Sequence, residues 1–300
     1  MRITSSQIAY GSAQNIAAAK ARLSQLQQQS SSGVALAKPS DDPAGTAAAM
    51  KVRAQQRANT QYSTNLDDAN AWLSTVDSTL TSSENLVRQA VDLTTQGAST
   101  GGLSASARVA LANQLDGVRA DLLNQANTKY LGRSVFAGSS DTASAFAPSG
   151  AFAGTAGTTV QRRISGTETV PVSADGAAAF GAGTAGSPSV FQTIDAISAA
   201  LRDTTGASDS AITTGLTALQ GGLAQMSATH ATVGANYARV TAAKSANANE
   251  SVTLETQRSG IEDADTTTVL LDLKTQELAY QTALQVAAQS IQPTLMSFLQ

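Results

Sequence analysis

The chain has 300 residues, a formal net charge of -3 and no cysteine, with 14% of its residues charged and 4% aromatic. An ordinary globular chain is roughly 25% charged, so a surface this poor in charge suits contact with other protein better than contact with water alone. The acidic balance argues against nucleic acid as a partner, because no Lys/Arg stripe exists to displace counterions from phosphates. The lack of cysteine excludes a disulfide framework, a thiolate metal site and a Cys nucleophile.

The N-terminal stretch MRITSSQIAYGSAQNI lacks the continuous apolar segment of a secretory signal, and no run of about 18 apolar residues is present for a membrane span. A chain of this kind is expected to be cytoplasmic or exported by a route that reads no cleaved signal. Ala9, Ser12, Ile16, Ala19, Leu23 and Leu26 recur at heptad spacing, which predicts a first helix with a seam for a partner. Gly33 to Asp42 break it. In Lys38-Pro39-Ser40-Asp41-Asp42-Pro43, Asp42 and Pro43 make an N-cap and first-turn pair, and Asp41 adds negative charge at the positive end of the next helix.

From there to about Gln96 the pattern is helical, with Leu66, Ala69, Leu73, Val76, Leu80, Ser83, Val87 and Ala90 in one seam and Trp72 flanking it. At 1.5 Å per residue this element would be roughly 70–80 Å long, too long to be stable without partners. Gly97, Gly101 and Gly102 interrupt it, and Ser104 is placed to cap a second helix on which Leu111, Leu115, Val118, Leu122 and Ala126 form a stripe. Residues 136–189 are dense in Gly, Ala, Ser, Thr and Pro, with β-favouring runs at Thr158–Ile164 and Thr167–Val172, which predicts a β-rich insertion.

Helical pattern returns near Val190, and Leu216, Leu219, Leu223, Met226, His230, Val233, Tyr237 and Val240 form a further seam. In the last stretch Leu270, Glu277, Leu284, Ile291 and Phe298 recur every seven residues, with Leu273, Tyr280 and Ala287 between them. The two ends are complementary in charge. Residues 1–40 carry Arg2, Lys20, Arg22 and Lys38 and no acid, whereas residues 245–300 carry seven acids against Arg258 and Lys274. The last 23 residues hold no charge at all.

The expected fold is mainly α, with nested long helices from both chain ends forming a coiled-coil or helical-bundle rod around a small β-rich inserted domain. Residues 1–44 and 255–300 form a terminal coiled-coil region for assembly, 45–135 and 190–254 a long-helix bundle, and 136–189 the variable insertion. The residues expected to carry assembly are Ile16, Leu23 and Leu26 against Leu270, Leu273, Tyr280, Leu284, Ile291 and Phe298, with Pro39, Ser40, Asp41, Asp42 and Pro43 as the helix-cap motif.

Chemical sites are scarce. His230 is the only histidine and sits on an apolar seam, so it is expected to be a packed or hydrogen-bonded residue and not a metal ligand. Of the acid pairs, Asp67 and Asp68 are adjacent on a helix and point to different faces, which is poor geometry for general acid–base chemistry, and Asp41 and Asp42 are better explained as capping. Gly101 to Ser106 carries no lysine at the position a phosphate loop requires and reads as a turn. Arg162 and Arg163 fall on opposite sides of a strand, as a solvated edge would have them. No enzyme activity, cofactor or metal is expected.

The segments MRITSSQIAYGSAQNI, RLSQLQQQSSSGVALAKPSDDPAGTAAAM, NLDDANAWLSTVDSTL and IEDADTTTVLLDLKTQELAYQTALQVAAQSIQPTLMSFLQ resemble the flagellin superfamily, over residues 1–137 and 190–300. Within it, Met1-Arg2-Ile3-Thr4, the Lys38–Pro43 motif and Tyr130-Leu131-Gly132-Arg133-Ser134-Val135-Phe136-Ala137-Gly138 are most similar to the L-type hook-filament junction proteins, also called third hook-associated proteins; Gln292-Pro293 is more like a filament-subunit tail. The resemblance implies a non-enzymatic subunit of the bacterial flagellum, secreted unfolded by the flagellar type III apparatus and assembled at the distal end. Its implied partners are further copies of itself in a ring or layer, the preceding hook-associated junction protein, flagellin and a flagellar export chaperone that meets the C-terminal region. The alternatives are a filament-building flagellin and a non-flagellar coiled-coil scaffold.

Overall fold

The structure, a computed structural model, describes residues 5–36, 38–98, 104–203 and 208–296. In chain order the elements are α1 (Ser5–Ser32), α2 (Pro43–Ala98), α3 (Ala105–Ala126), β1 (Lys129–Tyr130), β2 (Arg133–Ser134), β3 (Gln161–Arg163), β4 (Thr169–Pro171), α4 (Gly176–Phe180), α5 (Val190–Arg202), α6 (Ser208–Glu262) and α7 (Thr266–Met296). The fold is mainly α, and among the described residues the short strands form two antiparallel pairs, β1–β2 and β3–β4. The chain divides into two compact units, one that is outer in sequence, Met1–Ala58 with Glu250–Gln300, and one that is inner in sequence, Asn59–Asn249.

In the inner unit α2 and α6 run antiparallel, as successive side-chain contacts show. Asn59 Nδ2 donates to the Asn247 carbonyl (3.1 Å), Lys244 pairs with Asp67 (2.7 Å), and His230 meets Asp77 (2.9 Å) and Glu84 (3.0 Å). The α2 seam is buried throughout, from Leu66 to Ala90, and α6 answers it with Leu219, Met226, Val233 and Val240. Tyr237 is the exception on α6 and lies exposed. The Ser104 hydroxyl accepts from the Ala107 N–H to start α3, whose Leu115, Val118 and Leu122 turn inward. Helix α5 begins with a capping box, the Ser189 and Gln192 side chains satisfying each other's backbone N–H groups, and packs on α3.

Between α3 and α5 the chain is held by rings more than by strands. Phe136, Phe146, Phe152, Phe180 and Phe191 lie with neighbouring centroids 5.0–5.7 Å apart, and Phe180 stacks on Phe191 while meeting Phe136 edge-on. The β3–β4 hairpin is fastened to the long helices by polar contacts. Arg162 pairs with Asp68 (2.6 Å) and lies over the Trp72 ring (5.6 Å), Asn65 donates to the Arg163 carbonyl (2.8 Å), and Arg239 pairs with Glu168 (2.7 Å). Arg162 is thus no solvated edge residue. The hairpin and Tyr130, 5.4 Å away, cover Trp72 and leave it 1% exposed, where the heptad alone put it beside the seam.

The two-residue turn of the β1–β2 hairpin is Leu131-Gly132, with φ of 48° and 81°. A two-residue hairpin favours positive φ at both positions, which glycine and asparagine adopt at little cost and a leucine does not. Leu131 is also 79% exposed. Leu131→Asn is therefore expected to stabilise the isolated protein by about 1 kcal/mol in urea denaturation; a loss of stability would mean that the side chain is packed against something.

Candidate assembly face

The outer unit is built from the two ends of the chain. Helix α1 turns Ser12, Ile16, Ala19, Leu23 and Leu26 away from solvent, Leu26 most completely. Gly33, at φ 70°, ends it in a left-handed turn, its N–H donating to the Gln29 carbonyl (2.9 Å). The strand-like segment that follows joins the connection between α6 and α7. Ala35 N–H donates to the Glu262 carbonyl (2.7 Å), Ala264 N–H donates to the Gly33 carbonyl (2.8 Å), and Val34 bridges Asp263.

Charge fixes the same corner. Both guanidinium groups of Arg53 and Arg258 converge on Glu262, at 2.7 Å and 3.2 Å, and the Glu262 side chain is 7% exposed. The hydrogen bond from Arg53, with that from Arg258, outweighs the cost of burial and holds this carboxyl below the usual glutamate range. Asp42 accepts from the Ala44 and Gly45 N–H groups (3.0 and 2.9 Å), with Pro43 as the first residue of α2; Asp265 does the same for α7 through Thr267 (3.0 Å). Pro39, Ser40 and Asp41 lie in the exposed turn before Asp42.

α7 packs along α1, Gln276 donating to the Ala19 carbonyl (3.2 Å). The face it turns inward is Val269, Leu273, Gln276, Tyr280, Ala283 and Ala287. Of the residues singled out in the sequence, Leu273 and Tyr280 lie on this face with Ile16, Leu23 and Leu26 opposite. Leu270 and Leu284 lie beside it, 53% and 43% exposed. The side chain of Ile291 and the whole of Phe298 fall outside the described residues, as does the Gly101-Gly102 turn.

The seven-residue repeat did not point to Leu271, Leu278 and Val286, which are exposed on α7. Leu278 and Val286, with Ile16, Ala279 and Ala283, line an open groove of about 540 Å³ between α1 and α7. From Leu278 onward α7 carries no charge. A helix pair that buries one apolar face and exposes another presents a surface that a further protein helix would cover.

The remaining candidates are structural. Asp67 and Asp68 diverge, one to Lys244 and the other to Arg162. His230 is bound between two carboxylates, and among the described residues no group of His, Cys, Asp and Glu is arranged to hold a metal. Among those residues no helix is long and apolar enough to cross a membrane.

Chain ends that close on each other, a long-helix inner unit and an uncovered apolar stripe define a helical assembly subunit. The chain belongs to the bacterial flagellin family: the bacterial flagellin N-terminal helical region matches residues 3–141, and the C-terminal helical region matches residues 216–299. Among solved structures it is similar to a putative flagellar hook-associated protein from Vibrio parahaemolyticus (17% identity, 74% of this chain and 100% of that one, TM-score 0.68). It is also similar to FlgL from Xanthomonas campestris (19% identity, 69% and 99%, TM-score 0.61) and to flagellar hook-associated protein-3 from Legionella pneumophila (13% identity, 71% and 98%, TM-score 0.62). At these identities the likeness is one of fold. Among curated proteins none matches the sequence.

Proposed function

We propose that this chain is the subunit that joins the flagellar hook to the filament, a structural and non-enzymatic role. The observation that carries the reading is the extent of the likeness: a chain with both flagellin helical regions shares its fold with a putative flagellar hook-associated protein and a flagellar hook-associated protein-3 over 100% and 98% of their lengths. The protein is secreted through the flagellar type III apparatus, assembles at the distal end and resides in the extracellular flagellum. Its partners are neighbouring copies in a ring or layer, the preceding hook-associated protein, flagellin and an export chaperone. The proposed assembly surface comprises Ile16, Leu23, Leu26, Leu270, Leu273, Tyr280, Leu284, Ile291 and Phe298, extended by the groove at Leu278 and Val286.

Electron microscopy of a deletion strain tests this. Hooks without filaments, with flagellin monomer shed into the medium, are expected, and the protein itself should be a trace band in sheared flagella. Normal filaments in the deletion strain would refute the junction role, and a dominant band would make the chain a filament subunit.

A further inference from the structure

We propose that His230 is a proton-loaded latch between α2 and α6 of the inner unit, closed while the ring carries both protons and loosened when it loses one. The latch is an ionic layer within a largely apolar stretch of the seam. On α6 His230 is flanked by Met226 and Val233, both buried, and on α2 the facing stretch includes Leu80, which is fully buried. Into this seam the ring brings two nitrogens, and each meets a carboxylate oxygen: Nε2 to Asp77 Oδ1 at 2.9 Å and Nδ1 to Glu84 Oε1 at 3.0 Å.

Proton counting decides the state of the ring. An ionised carboxylate only accepts, and a neutral imidazole has one donor nitrogen and one lone pair. Both contacts are hydrogen bonds at once only in the imidazolium form. The other charged group at this layer, Arg88, binds the second oxygen of Glu84 (2.8 Å), while the Ser227 hydroxyl lies 3.4 Å from the first. Burial works against the charged ring, and the bonds and charges of Asp77 and Glu84 outweigh it, so the ring's pKa is raised above 6.5.

The two carboxylates do not respond alike. The Glu84 side chain is 10% exposed and that of Asp77 is 53% exposed. When the ring becomes neutral the remaining proton stays on Nδ1, because Glu84 has little water to turn to, and Nε2 then aims a lone pair at Asp77. That contact becomes repulsive and Asp77 turns to solvent. The folded state favours the protonated ring, so the contribution to stability is complete below pH about 6.5 and is lost as pH rises through the raised value.

The chain has one histidine, so its ring signals in the full-length protein are unambiguous by NMR. The ring is expected to titrate above 6.5 with both nitrogens protonated at the acid end, and the thermal midpoint should fall as pH rises through that titration. In His230→Gln this pH-dependent component should vanish. Asp77→Asn supplies an amide that donates to a neutral Nε2, so it should bring the ring's pKa down and keep the midpoint level at alkaline pH. A ring that titrates at or below 6.5, or a His230→Gln protein whose midpoint keeps the wild-type slope across that window, would overturn the latch. Ring titration is read whether or not the glutamine variant folds well.

Discussion

Replacing Phe180 by alanine is expected to destabilise the inner unit by about 3–5 kcal/mol, the range for removing a large aromatic from a closed core. Phe180 is fully buried and touches three other rings, edge-on to Phe136 and Phe146 and stacked on Phe191. The hydrogen-bonded ladder of this segment is short, since β3–β4 has three residues a side, so the rings supply much of the apolar core between α3 and α5. Urea denaturation followed by near-ultraviolet circular dichroism measures the loss. A change below about 1 kcal/mol would show that the ring cluster is not the core of this segment.

The second large effect should appear in assembly and leave the isolated chain almost untouched. Leu278 and Val286 are exposed on α7 and line its groove against α1. Exposed positions of this kind tolerate substitution within about 0.5 kcal/mol, whereas charge placed at the centre of a protein interface costs about 2 kcal/mol or more, roughly a thirtyfold loss of affinity. Leu278→Asp with Val286→Asp should therefore leave the melting curve unchanged while incorporation into flagella and swimming are lost. Full motility of the double variant would remove this groove from the proposed assembly surface.

How much of this was legible from the residues depended on how sharply each helix marks one face. On α2 every apolar seam position from Leu66 to Ala90 is buried, because polar residues fill the other faces and the 3.6-residue period has a single solution. On α7 leucines occur all round, at 270, 271, 273, 278 and 284; the repeat through Leu270 and Leu284 falls beside the inward face, while its intermediate positions Leu273, Tyr280 and Ala287 lie on it. Alongside Val269 and Leu273, the groups that face α1 are a glutamine, a tyrosine and two alanines, Gln276, Tyr280, Ala283 and Ala287, which a search for large apolar side chains passes over. The phenylalanine cluster was invisible for another reason: 136, 146, 152, 180 and 191 follow no period, and only the folded loops bring them together. His230 was correctly placed on a seam, yet its carboxylate partners depend on the alignment of α2 with α6 across some 150 residues, which no local pattern encodes.

The bond between Asn59 and Asn247 has a kinetic meaning. It lies where the contiguous inner unit begins and ends, so that once residues 59–249 have folded, the stretches leading to α1 and α7 emerge side by side. Joining the chain's extremities from the unfolded state would close a loop of most of its length; from the folded interior it closes a far shorter one, at a saving of about 0.6 kcal/mol for each halving. Folding the interior first is therefore the cheaper order, and a delay in its folding is expected to postpone the meeting of the ends.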